Sequence, residues 1–270
     1  MDVKDLKSPL ELLSTELAEL KSHFYKMLLD KTDLNYFGKV RAKAPIAVTP
    51  AAEKTVKKSR FQHSLDVRLA LSAYIVEKLH GDPNFGRTKF AKVFYFADRV
   101  SKLDLQTQYK REAAGPLDQR AFYNEKTGIE AQAEKLGYFG TEKKALKNKN
   151  GGIIRYKPGK NLQVAAGSLS SFLSNDAAKN EIDRIINLLR PLDTDQTEIV
   201  STLYACWNDL LLDSRDRVAD SAIIEELLTN WHDRKKRFTK DRLQKALDWM
   251  KKNKLVPSGT GKRTERKPDF

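Results

Sequence analysis

The chain has 270 residues, of which 40% are hydrophobic, and this suffices for one large or two medium domains with packed cores. Its single cysteine, Cys206, excludes an intrachain disulfide, and the sequence shows neither a secretory signal nor an apolar run long enough to span a membrane. We therefore expect a cytoplasmic protein. A formal net charge of +14 favours a polyanionic partner.

The positive charge is concentrated in three blocks. Residues 39–60 carry seven cations and one acid, residues 134–163 carry eight cations and two acids, and residues 230–270 carry fourteen cations and five acids. Residues 191–229, by contrast, hold nine acids and two cations. A lysine-rich surface that served solubility alone would spread its charge evenly, so this segregation favours binding to a polyanion, with nucleic acid as the first candidate.

Residues 1–37 have the cleanest periodicity in the chain. Apolar side chains alternate at spacings of four and three residues, which predicts the a/d stripe of a coiled-coil helix. The stripe consists of Leu6, Leu10, Leu13, Leu17, Leu20, Phe24 and Met27. Because a helix of about three heptads is marginal alone, we expect the stripe to pair with a second copy or another subunit. A helix that lies on its own domain is the alternative.

Residues 38–60 predict a basic linker. They mix two prolines with alanines and cations, and they show neither the period of a helix nor that of a strand. A charged linker of this kind stays solvated, although its cations could also touch phosphates.

Residues 61–165 predict a helical domain. An amphipathic helix follows Phe61, and the segment GRTKFAKVFYFADRV at residues 86–100 forms the next one. Four of its residues recur at the spacing of a buried face: Phe90, Val93, Phe94 and Ala97. The helix at residues 86–100 is called the aromatic helix below. Residues 138–146 and 153–157 predict a basic β-hairpin.

The remaining residues predict a connecting helix and a winged-helix-like domain. The connecting segment is 166–192, with its helix from about Ser170 to Leu189. In the last segment, 193–270, three helices are expected at about residues 197–212, 221–231 and 240–252, followed by a strand at Leu255-Val256 and a basic tail. Three short helices and a basic loop are the outline of a winged helix, a design that binds DNA or another protein.

The third of these helices and the tail carry the predicted nucleic-acid contacts. Leu243, Leu247 and Met250 form the inward face of the helix, which leaves its cations on other sides. The predicted contact residues are Lys240, Arg242, Lys245, Lys262, Arg263 and Arg266. Contacts from such groups to phosphates hold a protein on DNA without reading its sequence.

Catalytic and metal-binding patterns are weak throughout. The segment GTGKRT at residues 259–264 lacks the first glycine and the Ser or Thr of a phosphate-binding loop. The four histidines have no Cys or His at ligand spacing, so we expect no metal site, no cofactor and no catalytic residue. The segment DQTE at residues 195–198 predicts a capping box with Asp195 as the N-cap.

The aromatic helix, followed by the segment AAGPLD at residues 113–118, resembles the Panacea (SocA-like) antitoxin domain. That family shows a helix with the pattern K-L-x-K-L-L-Y-F-A and, further along, a Gly-Pro corner. Residues 89–97 and Gly115-Pro116 match these features, although Phe90 and Phe94 stand where leucine is usual. The resemblance extends over residues 61 to about 160. It implies a packing role for the helix, with Arg87 and Lys89 remaining in solvent.

A second resemblance covers more of the chain. The heptad stripe, basic linker, helical domain and C-terminal basic segment are similar to C-terminal extensions of some type I restriction-modification specificity subunits and related defence proteins. In those subunits, paired helices separate two target-recognition domains and hold the methyltransferase subunits. This chain has no counterpart of a recognition domain, so the resemblance implies no reading of a specific DNA sequence.

The sequence therefore predicts a mainly α protein that acts without catalysis. We expect a DNA-associated accessory or specificity-type subunit of a bacterial restriction-modification or phage-defence system. Its expected partners are double-stranded DNA and, through the coiled coil, a second copy or another defence subunit. The alternative is an antitoxin-like adaptor whose basic regions meet an acidic protein partner, and a hydrolase is the least favoured function.

Overall fold

The structure, a computed structural model, describes residues 60–103, 105–145, 152–214 and 217–266. Within these ranges the chain is mainly helical, as predicted, with two small antiparallel β-hairpins. The predicted coiled coil with its heptad stripe lies outside the described residues, as does all of the predicted linker except Arg60. None of the described helices is long and apolar enough to cross a membrane.

Nine α-helices and four strands follow one another along the described residues. The first seven elements are α1 Arg60–Leu79, α2 Arg87–Ser101, β1 Lys110–Glu112, β2 Gly115–Leu117, α3 Gln119–Tyr123, α4 Ile129–Lys135 and β3 Phe139–Ala145. The remaining six are β4 Gly152–Pro158, α5 Leu162–Gly167, α6 Asp176–Leu189, α7 Thr194–Ser214, α8 Asp220–Asn230 and α9 Lys240–Lys252. Two 3-10 turns, Ser168–Ser171 and Asp233–Arg237, precede α6 and α9.

The larger hairpin lies where the sequence predicts it. Strands β3 and β4 pair antiparallel, with Phe139 opposite Pro158 and Ala145 opposite Gly152. The smaller hairpin, β1–β2, was not predicted, and it contains the Gly-Pro corner. Gly115 has a φ of 96°, and a Cβ at this position would lie 2.8 Å from the hydroxyl oxygen of Thr202. Glycine is therefore required here, both for its backbone conformation and for the close approach to α7.

The aromatic helix α2 is a packing element, and its predicted buried face is confirmed. Phe90, Val93, Phe94 and Ala97 are all completely buried. The ring of Phe90 lies at the centre of an aromatic cluster, 4.7 Å from the ring of Tyr156 and between 5.7 and 6.3 Å from four others. Edge-to-face and tilted contacts at these distances add to the stability that comes from burying the rings.

One buried apolar cluster runs through α1, α2 and the helices that follow them. Helix α1 contributes buried residues on almost every side, and α2 packs against both α6 and α7. The cluster continues from Leu65 to Leu255 and therefore includes residues on both sides of the predicted connecting segment 166–192. The division into two domains stays a prediction.

The capping box at the start of α7 lies two residues earlier than predicted. The side chain of Asp193, rather than Asp195, accepts a hydrogen bond from the backbone N–H of Gln196 at 2.7 Å. The side-chain oxygen of Gln196 in turn accepts from the backbone N–H of Asp193 at 2.8 Å. This reciprocal pair satisfies amides that have no partner within the helix, and it leaves Asp195 on the surface for other contacts.

Candidate nucleic-acid interface

The candidate interface consists of the 3-10 turn Asp233–Arg237 and the helix α9 that follows it. His232 precedes the turn, and its Nδ1 accepts a hydrogen bond from the backbone N–H of Arg234 at 3.1 Å. Thr239 is the N-cap of α9, where its hydroxyl accepts from the backbone N–H of Arg242 at 3.3 Å. The local sequence therefore caps both the 3-10 turn and α9, and these caps fix the positions of the cations along the segment.

Residues 234–254 form a cationic segment. They include ten cations and two acids. Nine of the cations are exposed, and only Lys235 is buried. The exposed cations are Arg234, Lys236, Arg237, Lys240, Arg242, Lys245, Lys251, Lys252 and Lys254. The two acids, Asp241 and Asp248, are exposed as well. The surface of the segment consequently carries a large excess of positive charge.

Lys235 anchors the turn to α7. Its side chain is completely buried, and its Nζ lies 2.8 Å from the carboxylate of Glu198 and 3.1 Å from the hydroxyl of Thr202. Burial lowers the pKa of Lys235, while the carboxylate of Glu198 opposes that decrease. Because a buried ammonium needs these partners, the turn is held at one position on α7 and its other cations face solvent.

Arg237 and Arg242 share one exposed carboxylate. The Nη2 atom of Arg237 lies 3.1 Å from Oδ1 of Asp195, and that of Arg242 lies 3.7 Å from Oδ2. Both guanidinium groups also lie over the ring of Phe238, at 4.6 and 5.4 Å from its centroid. Since Arg237 and Lys235 both contact Glu198, three cations here are balanced by two carboxylates.

The other two predicted contacts on α9 are exposed and paired with acids. The Nζ of Lys240 lies 3.8 Å from Glu225 on α8, and that of Lys245 lies 2.8 Å from Asp241. Both lysine side chains are about three-quarters exposed, at 75% and 76%. Exposed ion pairs of this kind contribute about 0–1 kcal/mol, so exchange of the carboxylate for a phosphate costs little.

The predicted tail contacts lie on a strap, residues 258–266, that contacts α7 and β1. Leu255 and Val256, which were expected to form a wing strand, pair with no strand of the described chain. Instead, Glu265 forms an isolated parallel bridge with Lys110 of β1. The strap is also held by Thr264, whose backbone N–H donates to Asp209 of α7 at 3.0 Å.

The three strap residues that carry the predicted cations contact other parts of the described chain, whereas the residues of a free wing would not. Arg263 forms an ion pair with Asp213, and Arg266 lies 3.4 Å from Glu226. The backbone carbonyl of Lys262 accepts a hydrogen bond from Arg99 at 3.0 Å. The side chains of Arg263 and Arg266 remain exposed, so their contact with nucleic acid stays a prediction.

Lys89 does not remain in solvent, and that expectation was wrong. Its side chain is buried, with Nζ 2.9 Å from the backbone carbonyl of Leu192 and 3.2 Å from the carboxylate of Asp82. Asp82 lies in the loop before α2, but Leu192 is 103 residues further along the chain, which is why helical periodicity could not reveal this burial. Arg87 is partly exposed and pairs with Glu130.

Lys92 and the Gly-Pro corner meet in the core. The Nζ of Lys92 donates to the backbone carbonyl of Pro116 at 2.7 Å, and the side chain is completely buried. Burial, together with the charge of Lys235, lowers the pKa of Lys92 to about 7. The two halves of the motif that resembles the Panacea domain are thus joined by a buried hydrogen bond.

Sequence reasoning missed a buried cluster around Arg111. This arginine of β1 lies 2.6 Å from Glu226, 3.0 Å from Asp209 and 2.9 Å from the backbone carbonyl of Asn230. The ring of Trp231 lies 5.1 Å from its guanidinium carbon. The cluster connects β1, α7, α8 and the strap. No local pattern indicates it, because Arg111 lies 98 residues from Asp209 and 115 residues from Glu226.

Metal ligation and thiol chemistry have little support in the described ranges. Among these residues, no group of three or more His, Cys, Asp or Glu side chains is placed to hold a metal ion. Cys206 is completely buried, and burial raises the pKa of its thiol well above its ordinary value, which keeps the thiol protonated. The absence of enzymatic activity stays a prediction.

An open groove lies between the first turns of α7 and the helix α9. Its volume is about 280 Å³. It is lined by Leu192, Gln196, Ile199, Val200, Arg242, Lys245, Ala246 and Trp249. Two of the predicted nucleic-acid contacts, Arg242 and Lys245, therefore belong to a concave and largely apolar surface, which the sequence did not predict.

Comparisons with known proteins assign no family to this chain. A scan against protein-family models gives no match, and a search of curated proteins gives none either. The resemblances to the Panacea (SocA-like) antitoxin domain and to specificity-subunit extensions therefore stay predictions that rest on the motif residues.

Proposed function

We propose that this chain is a non-enzymatic accessory protein of a bacterial restriction-modification or phage-defence system, and that it binds duplex DNA in the cytoplasm. The observation that carries the proposal is the cationic segment 234–254, with nine exposed cations and two acids. A duplex carries one negative charge per about 1.7 Å of its axis, so a surface of this charge gains affinity by releasing counterions. The resemblances described above support the defence role.

The packing of α7, α8 and α9 supports a helix-turn-helix interpretation. Each of these helices contacts the other two. In helix-turn-helix proteins the recognition helix lies in the major groove, and α9 is the helix with the most exposed cations among the three. Pairing of residues 1–37 with a second copy or another defence subunit remains part of the proposal.

The proposed contacts are to phosphates. Lys240, Arg242 and Lys245 have partners that are themselves at least half exposed, so phosphate oxygens can replace the carboxylates. Arginine binds phosphate and carboxylate with the same planar group. Since phosphate contacts carry no sequence information directly, we expect similar affinity for duplexes of different sequence.

Replacement of Arg242 and Lys245 by alanine tests the proposal. We expect the double variant to bind a fluorescein-labelled duplex more weakly, by a similar factor for several sequences, in an anisotropy titration at about 50 mM salt. Alanine replacement of Arg120 and Lys126 is the matched control, since these two exposed cations lie on α3 and the turn after it. Equal losses in both variants would mean that net charge alone, rather than α9, accounts for the affinity.

A second candidate function is the antitoxin-like adaptor. It is favoured by the mixed charge on the outer side of α9, where Asp241 and Asp248 accompany Lys245 and Lys252. A surface with both signs is suited to a protein partner with complementary charges. An adaptor predicts that the double variant loses a protein partner while the wild type shows no affinity for duplex DNA.

A further inference from the structure

The groove between α7 and α9 combines apolar walls with an amide and two cations. Arg242, Ala246 and Trp249 are spaced i, i+4 and i+7, so they form one stripe along α9. Ile199 and Val200, on α7, form the opposite wall. A ligand in the groove would therefore meet apolar side chains on both sides and positive charge at one end.

The size and polarity of the groove match one nucleobase. Its volume of about 280 Å³ is just below the range of about 300–1,000 Å³ found for pockets that enclose drug-sized ligands. Trp249 is partly buried and supplies an aromatic surface of the kind on which bases stack. The side-chain oxygen of Gln196 accepts from the backbone N–H of Asp193, which leaves its NH₂ group to donate to a base.

We infer that this groove binds an unpaired nucleotide, with its base against Trp249 and its phosphate on Arg242 and Lys245. The inference rests on the proposed nucleic-acid binding and adds a second binding mode, in which the same surface takes up an unpaired nucleotide of single-stranded DNA or RNA. A base in a duplex is paired and stacked, so only an unpaired base can enter the groove.

The charges at the mouth of the groove favour the binding of a phosphate there, rather than of an apolar group. Arg242 and Lys245 are 45% and 76% exposed, and their carboxylate partners, Asp195 and Asp241, are also at the surface. A dianionic or bridging phosphate competes with these exposed carboxylates for the same donors. The apolar walls and the cationic mouth thus suit the two chemical parts of one nucleotide.

The inference is tested with two single strands of equal length and charge. One is a fluorescein-labelled dodecathymidylate, and the other has the same phosphates but lacks the bases. We expect the wild-type chain to bind the thymidylate strand about tenfold more tightly at the same salt concentration, because stacking adds to the phosphate contacts. Equal affinity for the two strands would overturn the base site and leave binding through phosphates intact.

Two variants test whether the preference for the strand with bases arises in the groove. In Trp249→Ala and in Ala246→Phe, which fills the groove and keeps the tryptophan, we expect the tenfold preference to disappear while the affinity for the abasic strand is unchanged. The control Lys252→Ala, an exposed cation on the same helix, should weaken both strands equally and keep their ratio. A preference that survives both groove variants would contradict the assignment, whereas failure to bind any strand or duplex would contradict the proposed function itself.

Discussion

Replacement of Arg111 by alanine is expected to lower the free energy of unfolding by about 3–5 kcal/mol, because it removes the buried cation that two carboxylates share. Asp209 and Glu226 both lie within 3.0 Å of the guanidinium group, and its side chain is only 3% exposed. The neighbouring Lys110→Ala variant is the control, since its side chain is half exposed and the charge change is the same. Urea titration of both variants, followed by circular dichroism, measures the effect.

The loss caused by Arg111→Ala should depend on pH. Burial tends to raise the pKa of Glu226, but its hydrogen bonds with Asn230 and Arg111 hold that pKa below its ordinary value. A carboxyl with a lowered pKa stabilises the folded state above its unfolded pKa of about 4.3 and loses that contribution as the pH falls. We therefore expect the difference between wild type and variant to be constant from pH 7 to about 5 and to narrow below that. A loss under about 1 kcal/mol at pH 7 would show that the cluster is not a buried ion network.

Replacement of Lys92 by methionine is expected to change how stability depends on pH. The pKa of Lys92 is lowered to about 7, so between about pH 7 and 10 the unfolded chain holds this proton while the folded chain does not. The wild type therefore gains stability from this group as the pH rises, by up to about 1.4 kcal/mol per pH unit. The variant lacks this gain. The free energy of unfolding of the variant minus that of the wild type should therefore fall by up to about 1.4 kcal/mol for each pH unit.

The measurement is a series of urea titrations of wild type and Lys92→Met at several pH values between about 7.5 and 9.5. The difference between the two proteins isolates Lys92, because Cys206 and the buried tyrosines titrate equally in both. Lys126→Met, which removes an exposed cation, should show a difference that does not vary with pH. A constant difference for Lys92→Met as well would mean that its ammonium stays charged in the folded chain.

Local periodicity predicted those elements in which the residue pattern of one short segment specifies the structure. The face of α2 around Phe90 and Phe94 is such a case, since the i, i+3, i+4 spacing of apolar residues specifies which side is buried. The hairpin β3–β4 is another, because its two strands are close in sequence and flank glycines. In both cases the residues that set the pattern lie within a short stretch of chain.

The burial of cations could not be predicted in this way. Lys89, Lys92, Arg111 and Lys235 are all buried, although sequence reasoning assigns such residues to the surface. Each depends on acceptors from distant segments, such as Glu198 for Lys235. The strap was missed for the same reason, since its bridge to β1 joins residues more than 150 positions apart.

The role of the candidate interface stays a prediction, although the exposure of its α9 cations was predicted. Lys240, Arg242 and Lys245 are all exposed, because the spacing of the apolar residues sets which face of α9 is buried. The shared carboxylate of Asp195 and the groove beside Trp249 arise from the packing of α7 against α9. That packing is a tertiary feature, which the spacing within a single helix does not encode.

The most direct test of nucleic-acid binding is the affinity of the wild-type chain for a short duplex, measured by fluorescence anisotropy at several salt concentrations. Each neutralised phosphate contributes about −0.9 to the slope of log affinity against log salt. Since three cations of α9 and others of the cationic segment 234–254 are exposed, we predict a slope steeper than about −2, independent of sequence. No measurable affinity at about 50 mM salt, or a slope near zero, would contradict the proposal that this segment binds nucleic acid.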